Sequence, residues 1–212
     1  MTRPFFSIIM PVFLGDYKGA AKDRKTKFIR AVMSVLNQVE QDFELIIVSD
    51  NCIETIETCG QFWSENKRIK YYYLWEKQAH WNGQVRNTGL TLATGKYIMY
   101  LDSDDFYTVG YLAELKFRMK DNKSIDWFTV NELRWNIQLQ DFDEFIPTVG
   151  KLSQIGTSNI IHKREMKARW EPARYGYDDY NFSNSLRKES KNFIHLNIAG
   201  YCVCHIPGRY EI

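Results

Sequence analysis

Asp102, Asp104 and Asp105 fall within the four residues Asp102-Ser103-Asp104-Asp105, directly after the apolar run Tyr97-Ile98-Met99-Tyr100-Leu101. Like charges this close repel, and taking them out of water is costly unless something neutralises them. A hard divalent cation is the natural partner. Mg²⁺ and Mn²⁺ prefer oxygen donors and are usually held by one or two carboxylates together with substrate phosphates. A solvated acidic turn after a strand would show the same residues, so the flanking sequence has to decide.

The flanks supply elements that would place the acids on one rim. Strand-like apolar runs occur at 5–10, stopped by Pro11, at 43–48, stopped by Ser49-Asp50-Asn51, at 69–74 and at 97–101. Helical patterns lie between them. Phe28, Ala31, Val32, Val35 and Leu36 recur at helical spacing, 56–65 reads as a helix, and 83–93 reads as a helix closed by Gly95. Strands alternating with helices predict an α/β sheet with parallel strands. In such a sheet, ligands bind beyond the carboxyl ends of the strands. Pro11, Asp50 and the Asp102–Asp105 cluster are then expected on the same rim, which favours ligand roles for Asp50 and Asp104 over a helix cap and a surface acid.

The second half is less regular. A helix is expected over 110–119, a strand over 125–130, an apolar run over 158–161, an acid-led helix over 177–186 and strand-like runs over 193–206. Residues 131–151 read as a long hairpin or a mobile flap. With no internal repeat and no low-complexity linker, 1–212 is expected to be a single domain, regular over 1–107 and less so over 108–212.

Bulk properties exclude several classes. A net charge of +2 over 212 residues argues against a dedicated nucleic-acid binder. Met1 to Pro4 runs straight into the first strand, so no leader is expected, and no apolar run is long enough to span a membrane. Cys52, Cys59, Cys202 and Cys204 match no common zinc spacing and are too few for a disulfide scaffold, which predicts buried, inert thiols and a cytoplasmic setting. The basic group Lys18, Lys22, Arg24, Lys25 and Lys27 reads as a solvated helix face, with peripheral membrane contact as the minority reading. Neither G-x-G-x-x-G nor G-x-x-x-x-G-K-[ST] is present, so phosphate is left to a metal on the acidic cluster with help from Arg86.

Four blocks in order carry a family resemblance. Ser7-Ile8-Ile9-Met10-Pro11-Val12-Phe13, then Ser34-Val35-Leu36-Asn37-Gln38 with Phe43-Glu44-Leu45-Ile46-Ile47-Val48, then Arg86-Asn87-Thr88-Gly89-Leu90 with Ala93-Thr94-Gly95-Lys96-Tyr97, then the acidic cluster as a D-x-D motif, resemble the family 2 glycosyltransferases of the GT-A fold. The resemblance implies a Rossmann-like, mostly parallel sheet flanked by helices, with a small mixed acceptor-side portion. It implies Pro11, Val12 and Phe13 along the nucleotide base, Asp50 on base or ribose, and Arg86 on the donor or bracing the acidic loop. Asp102 would reach the ribose, with Ser103 beside it, and Asp104 would ligate the metal, with Asp102 and His205 as further ligands. Tyr177-Asp178-Asp179-Tyr180 is similar to the family's Glu-Asp motif, which implies Asp179 as catalytic base with Asp178 as the alternative. Cys204-His205-Ile206-Pro207-Gly208 is similar to a late His-Pro-Gly segment.

The implied activity is inverting, Mn²⁺- or Mg²⁺-dependent transfer from a nucleotide diphosphate-sugar, UDP by family habit, to a hydroxyl acceptor such as a glycan or lipid-linked sugar. A nucleotidyltransferase ranks below it, because Pro11-Val12-Phe13-Leu14-Gly15-Asp16 is neither Gly-rich nor basic. A non-catalytic nucleotide- or sugar-binding module would have no need of the Asp178-Asp179 pair.

Overall fold

The computed structural model describes residues 3–17, 20, 22–78, 82–171 and 177–204. Uninterrupted apolar runs suit strands covered on both faces, and the chain uses them at the centre of its sheet. β1 (Phe6–Val12), β2 (Phe43–Asp50), β3 (Ile69–Leu74) and β4 (Tyr97–Tyr100) pair in parallel in the order β3-β2-β1-β4. Ile9 stands opposite Ile46 on one side and Tyr100 on the other. The crossovers are helical: α1 (Arg24–Leu36), α2 (Ile53–Trp63) and α3 (Gly83–Leu92).

The mixed pairing begins beyond β4. β5 (Phe106–Tyr107), α4 (Tyr111–Lys120), β6 (Trp127–Asn136), β7 (Asp141–Phe145), β8 (Ile160–Lys163), α5 (Asp178–Glu189) and β9 (Phe193–Val203) complete one nine-stranded sheet ordered β3-β2-β1-β4-β8-β6-β9-β5, with β7 on β6. β8 runs antiparallel to β4 and β6, whereas β9 runs parallel to β6. This is the α/β, GT-A-like sheet that the sequence predicts, parallel in its first half and mixed in its second.

Alternation along the strands divides the core. Phe6, Ile8, Met10 and Val12 of β1 pack with Phe28, Val32, Trp63, Leu112 and Leu115 from α1, α2 and α4. Ile9, Ile46, Ile98 and Tyr100 face the other way, against Val85 and Leu90 of α3 and Phe182 and Leu186 of α5. A β-carbon on Gly89 would run into the Ile9 side chain, so this glycine lets α3 lie directly on β1.

Several expectations are corrected. Pro11 does not stop β1, which continues to Val12 with Pro11 opposite Val48. Its missing N–H falls on the β4 side, where pairing ends after the Leu101 N–H donates to the Ile9 carbonyl at 3.0 Å, so no ladder bond is lost. Of the two readings of 131–151, the hairpin holds: β6 and β7 pair from Glu132–Phe145 to Asn136–Asp141. Lys27 is not on a solvated face. It is 2% exposed and lies 3.3 Å from Asp23 Oδ1, while Lys25 is exposed and Lys18 lies outside the described residues. All four cysteines are buried and free, and burial pushes the Cys59, Cys202 and Cys204 thiols up to about 12. Among the described residues no helix is long and apolar enough to cross a membrane.

Candidate active site

The parallel strands end on a cleft of about 680 Å³. Pro11 and Phe13 from the end of β1, Asp50 from the end of β2, and Asp102, Ser103 and Asp104 from the end of β4 all line it. So do Arg86 of α3 and Asp178 and Asp179 of α5. Val12 does not. Strand alternation turns it away from the cleft into the core, where it is 1% exposed. His205, and His80 and Trp81 with it, lie outside the described residues.

One end of the cleft is built at the tips of β1 and β2. Two cations lie over the Phe13 ring, with Lys77 Nζ 3.0 Å and Arg24 Cζ 5.6 Å from its centroid. Asp50 accepts the Gln78 backbone N–H at 2.7 Å. Burial raises its carboxyl above the ordinary value, partly offset by Gln78 and Lys77. Asn51 then takes a left-handed turn (φ 51°), a conformation that asparagine tolerates. Lys77 and Gln78 were not singled out from the sequence, although they follow the third strand and the strand-end argument applied to them too.

The acidic cluster splits by role. Asp105 is buried at 4% exposure, accepting from the Tyr201 hydroxyl and the Cys204 N–H, each at 2.8 Å. Burial, with Asp104 and Asp102 nearby, pushes its carboxyl well above the usual range. The Tyr201 hydroxyl also accepts the Asp102 N–H at 3.0 Å. Asp105 and Tyr201 thus fasten the loop to β9, while Asp102 and Asp104 line the cleft. Arg30 holds the loop from α1, donating to the Asp104 carbonyl at 2.6 Å.

Arg86 joins the two halves of the cleft. It donates to Asp102 Oδ1 at 2.8 Å, reaches Asp178 Oδ2 at 3.6 Å, and stacks on Trp170 with Cζ 4.7 Å from the ring. Burial opposes its charge, but Asp102, Asp179 and Asp178 outweigh that and hold its proton more tightly than usual. Trp170 is set by Asn87, which bonds its carbonyl at 2.8 Å and its N–H at 2.9 Å, and by a parallel stack on Phe182 with centroids 4.0 Å apart.

Asp179 heads α5 with Asp178, where the helix N-terminus favours acids. It opens on the cleft but is ringed by protein. Burial raises its carboxyl to about 7, with Asp178 and Asp102 adding to the rise and Arg86 and a hydrogen bond from Thr157 opposing it. A carboxylate with a proton affinity near neutrality suits general acid–base work. Thr157 and the neighbouring Ser158–Glu132 pair had no signal in the sequence: the 3-10 turn at 157–159 is held on β6 by Ser158 and Glu132, and from there Thr157 reaches Asp179.

Among the described residues no group of three or more His, Cys, Asp or Glu is arranged to hold a metal alone. The donors still suit a hard ion completed by a ligand's phosphates. Asp102 and Asp104 are oxygen donors on one loop, and carboxylates outnumber basic side chains along the cleft walls.

The sheet and the cleft at its strand ends are those of the GT-A fold class. The chain belongs to glycosyl transferase family 2, whose family model matches residues 7–180. An uncharacterised glycosyltransferase of Rickettsia bellii is 34% identical over 117 residues, 55% of this chain and 15% of that protein. Staphylococcus aureus TarS 1–349 in complex with UDP-GlcNAc superposes with a TM-score of 0.72 at 15% identity, covering 96% of this chain and 59% of that one. The mannosyltransferase PcManGT of Pyrobaculum calidifontis, in complex with GDP-Man and Mn²⁺, gives 0.67 at 13% identity, covering 95% and 57%. The chain therefore spans a minor part of the Rickettsia protein and less than two thirds of these structures. At these identities the structural likeness speaks for the fold.

Proposed function

We propose that this chain transfers a sugar, with inversion, from a nucleotide diphosphate-sugar to a hydroxyl acceptor, using Mn²⁺ or Mg²⁺. The observation that carries the reading is the meeting, in one cleft, of the strand-end acids with an α5 carboxylate poised near neutrality. Pro11, Phe13 and Asp50 bind the nucleoside, Asp102 reaches the ribose, and Asp104, with Asp102, holds the metal. When bound, the metal supplies Lewis-acid stabilisation of the departing diphosphate. Arg86 keeps Asp102 oriented and adds positive charge at the diphosphate side. Asp179 takes the acceptor's proton as the hydroxyl attacks the anomeric carbon. One base opposite one leaving group gives a single displacement and therefore inversion.

UDP is the preferred nucleotide, supported by the UDP-GlcNAc bound to TarS, while PcManGT binds GDP-Man. The acceptor is a glycan, a lipid-linked sugar or a similar alcohol. A thermal-shift screen of UDP- and GDP-sugars with and without Mn²⁺ tests the reading. A rise in Tm with one donor class that requires Mn²⁺, followed by nucleotide release from that donor on adding acceptor, is the expected result. No Mn²⁺-dependent shift with any nucleotide-sugar would overturn it.

A further inference from the structure

Thr157 occupies a position that neither the donor site nor the base reading explains. It is 6% exposed, in a 3-10 turn (Thr157–Asn159) locked on both sides. The Ser158 hydroxyl donates to Glu132, itself 2% exposed, and Asn159 Nδ2 donates to the Val130 carbonyl at 3.0 Å. The Gly156 N–H donates back to Asn159 Oδ1 at 2.8 Å. Three side chains thus fix a turn whose remaining hydroxyl, Thr157 Oγ1, donates to Asp179 Oδ1. A β-branched residue adds to the fixity, because its χ1 is restricted.

We propose that Thr157 is a positioning residue for the proton-accepting carboxylate: it engages Asp179 Oδ1 and reserves Oδ2 for the acceptor's hydroxyl. The inference rests on the base reading for Asp179. The charged groups that face Asp179 are Arg86 from α3, Asp178 from its own helix and Asp102 from the loop after β4. Of these only Arg86 favours its ionised form, and Arg86 is already engaged by Asp102 and Asp178. Thr157 is the neutral side-chain donor whose loss would leave that form with Arg86 and the N-terminus of α5.

Two measurements test this. The first needs no substrate: titration of ¹³C-labelled aspartate carboxyls by NMR in metal-free buffer. Thr157→Val keeps the shape and removes the donor, and is expected to move the Asp179 midpoint upward by about one pH unit. Thr157→Ser keeps the donor and should leave it in place. An unmoved midpoint in Thr157→Val overturns the proposal. If the valine variant does not fold, Thr157→Ala carries the same comparison.

The second is a double-mutant cycle on turnover with the donor found by the thermal-shift screen. Thr157→Val should lower kcat about tenfold at neutral pH with KM for the donor little changed, the loss shrinking as pH rises. The same substitution should cost nothing further in Asp179→Asn. A full additional loss in that background, or an equal loss at every pH, would mean Thr157 only packs, while the base reading survives. Undiminished turnover in Asp179→Asn would sink the base reading itself, and this proposal with it.

Discussion

Glu44 and Asp179 are carboxylates enclosed at opposite ends of the fold's parallel strands, and their surroundings drive them in opposite directions. Glu44 lies near the start of β2 at 4% exposure. Its Oε1 accepts from Ser7 Oγ at 2.5 Å, Thr94 N at 2.6 Å, Thr94 Oγ1 at 2.9 Å and Gly95 N at 3.1 Å, and its Oε2 from Lys70 Nζ at 2.6 Å. Burial alone would raise its pKa, but the donors outweigh burial and hold it below the ordinary value. Asp179 has Thr157 and a shared Arg86, with Asp178 and Asp102 against it, and burial wins. The lower carboxylate ties β1, β2, β3 and the turn into β4 together. The upper one keeps a reactive proton affinity because the fold leaves it short of donors.

The largest expected break in this comparison is at the upper rim. Asp104→Ala should reduce transfer to background and remove metal-dependent nucleotide binding, with no fall in Tm of the ligand-free chain. Calorimetric titration of the nucleotide with and without EDTA reads it. Near-normal turnover in EDTA-treated buffer would remove Asp104 from the site.

Asp179→Asn comes next, with kcat lowered about 10²- to 10⁴-fold and donor affinity nearly unchanged. Asp178→Asn sharpens the result. Asp178 is engaged with Arg86 at 3.6 Å, so its loss should disturb donor binding and turnover together. Full activity in Asp179→Asn with a dead Asp178→Asn would move the base one residue back.

Glu44→Ala reverses the pattern. It leaves the buried Ser7 hydroxyl and the Thr94 donors without their acceptor and the Gly95 N–H with Ser7 Oγ alone, at a cost of about 2–5 kcal/mol in stability. Turnover per folded molecule should stay unchanged. Urea unfolding measures the first and active-site-normalised kinetics the second. A variant that lost kcat but not stability would show that the two rims are not independent.

Much of the upper rim was legible because parallel strands announce themselves as apolar runs and the chemistry follows at their ends. Asp50, Asp102, Ser103 and Asp104 were read from that placement, Arg86 from the lack of a Gly-rich phosphate loop, and the family likeness added Asp179. The family likeness failed at Val12, where one residue of alternation separates cleft from core, and the reading of Pro11 as a strand stop failed because the strand outruns its β4 partner. The second half was poorly legible for a physical reason. β6 and β9 pair in parallel across more than sixty residues of intervening chain, and β5 is only Phe106–Tyr107, too short for any periodicity. Tyr201 acquires its role through those pairings, and Thr157 and Trp170 acquire theirs through side-chain contacts equally distant in sequence, with Asp179 and with Asn87 and Phe182. Glu44 was visible only as one letter in a strand, and nothing in its neighbours shows that donors from β1, β3 and the turn before β4 converge on it.

The smallest predicted effect is in stability against pH, where the two carboxylates should have opposite signs. In the folded chain Asp179 keeps its proton up to about pH 7, against an ordinary value of 3.8. Between those values the folded state binds a proton that the unfolded state has released, so this group's contribution to stability falls as pH rises from about 4 to about 7. Glu44 is lowered from 4.5, so its contribution is complete above that value and is lost as pH falls through its folded pKa. Differences from wild type isolate each group. The stability of wild type relative to Asp179→Asn should decline between pH 4 and 7, while that relative to Glu44→Gln should be flat from pH 7 down towards 4.5 and shrink as pH falls below that value. Transfer should meanwhile climb through about pH 7 in wild type, as the proton whose retention favours the fold is the one catalysis needs removed. Parallel curves for the two variants would mean that Asp179 is satisfied as fully as Glu44, and the distinction between a structural and a reactive carboxylate in this chain would disappear.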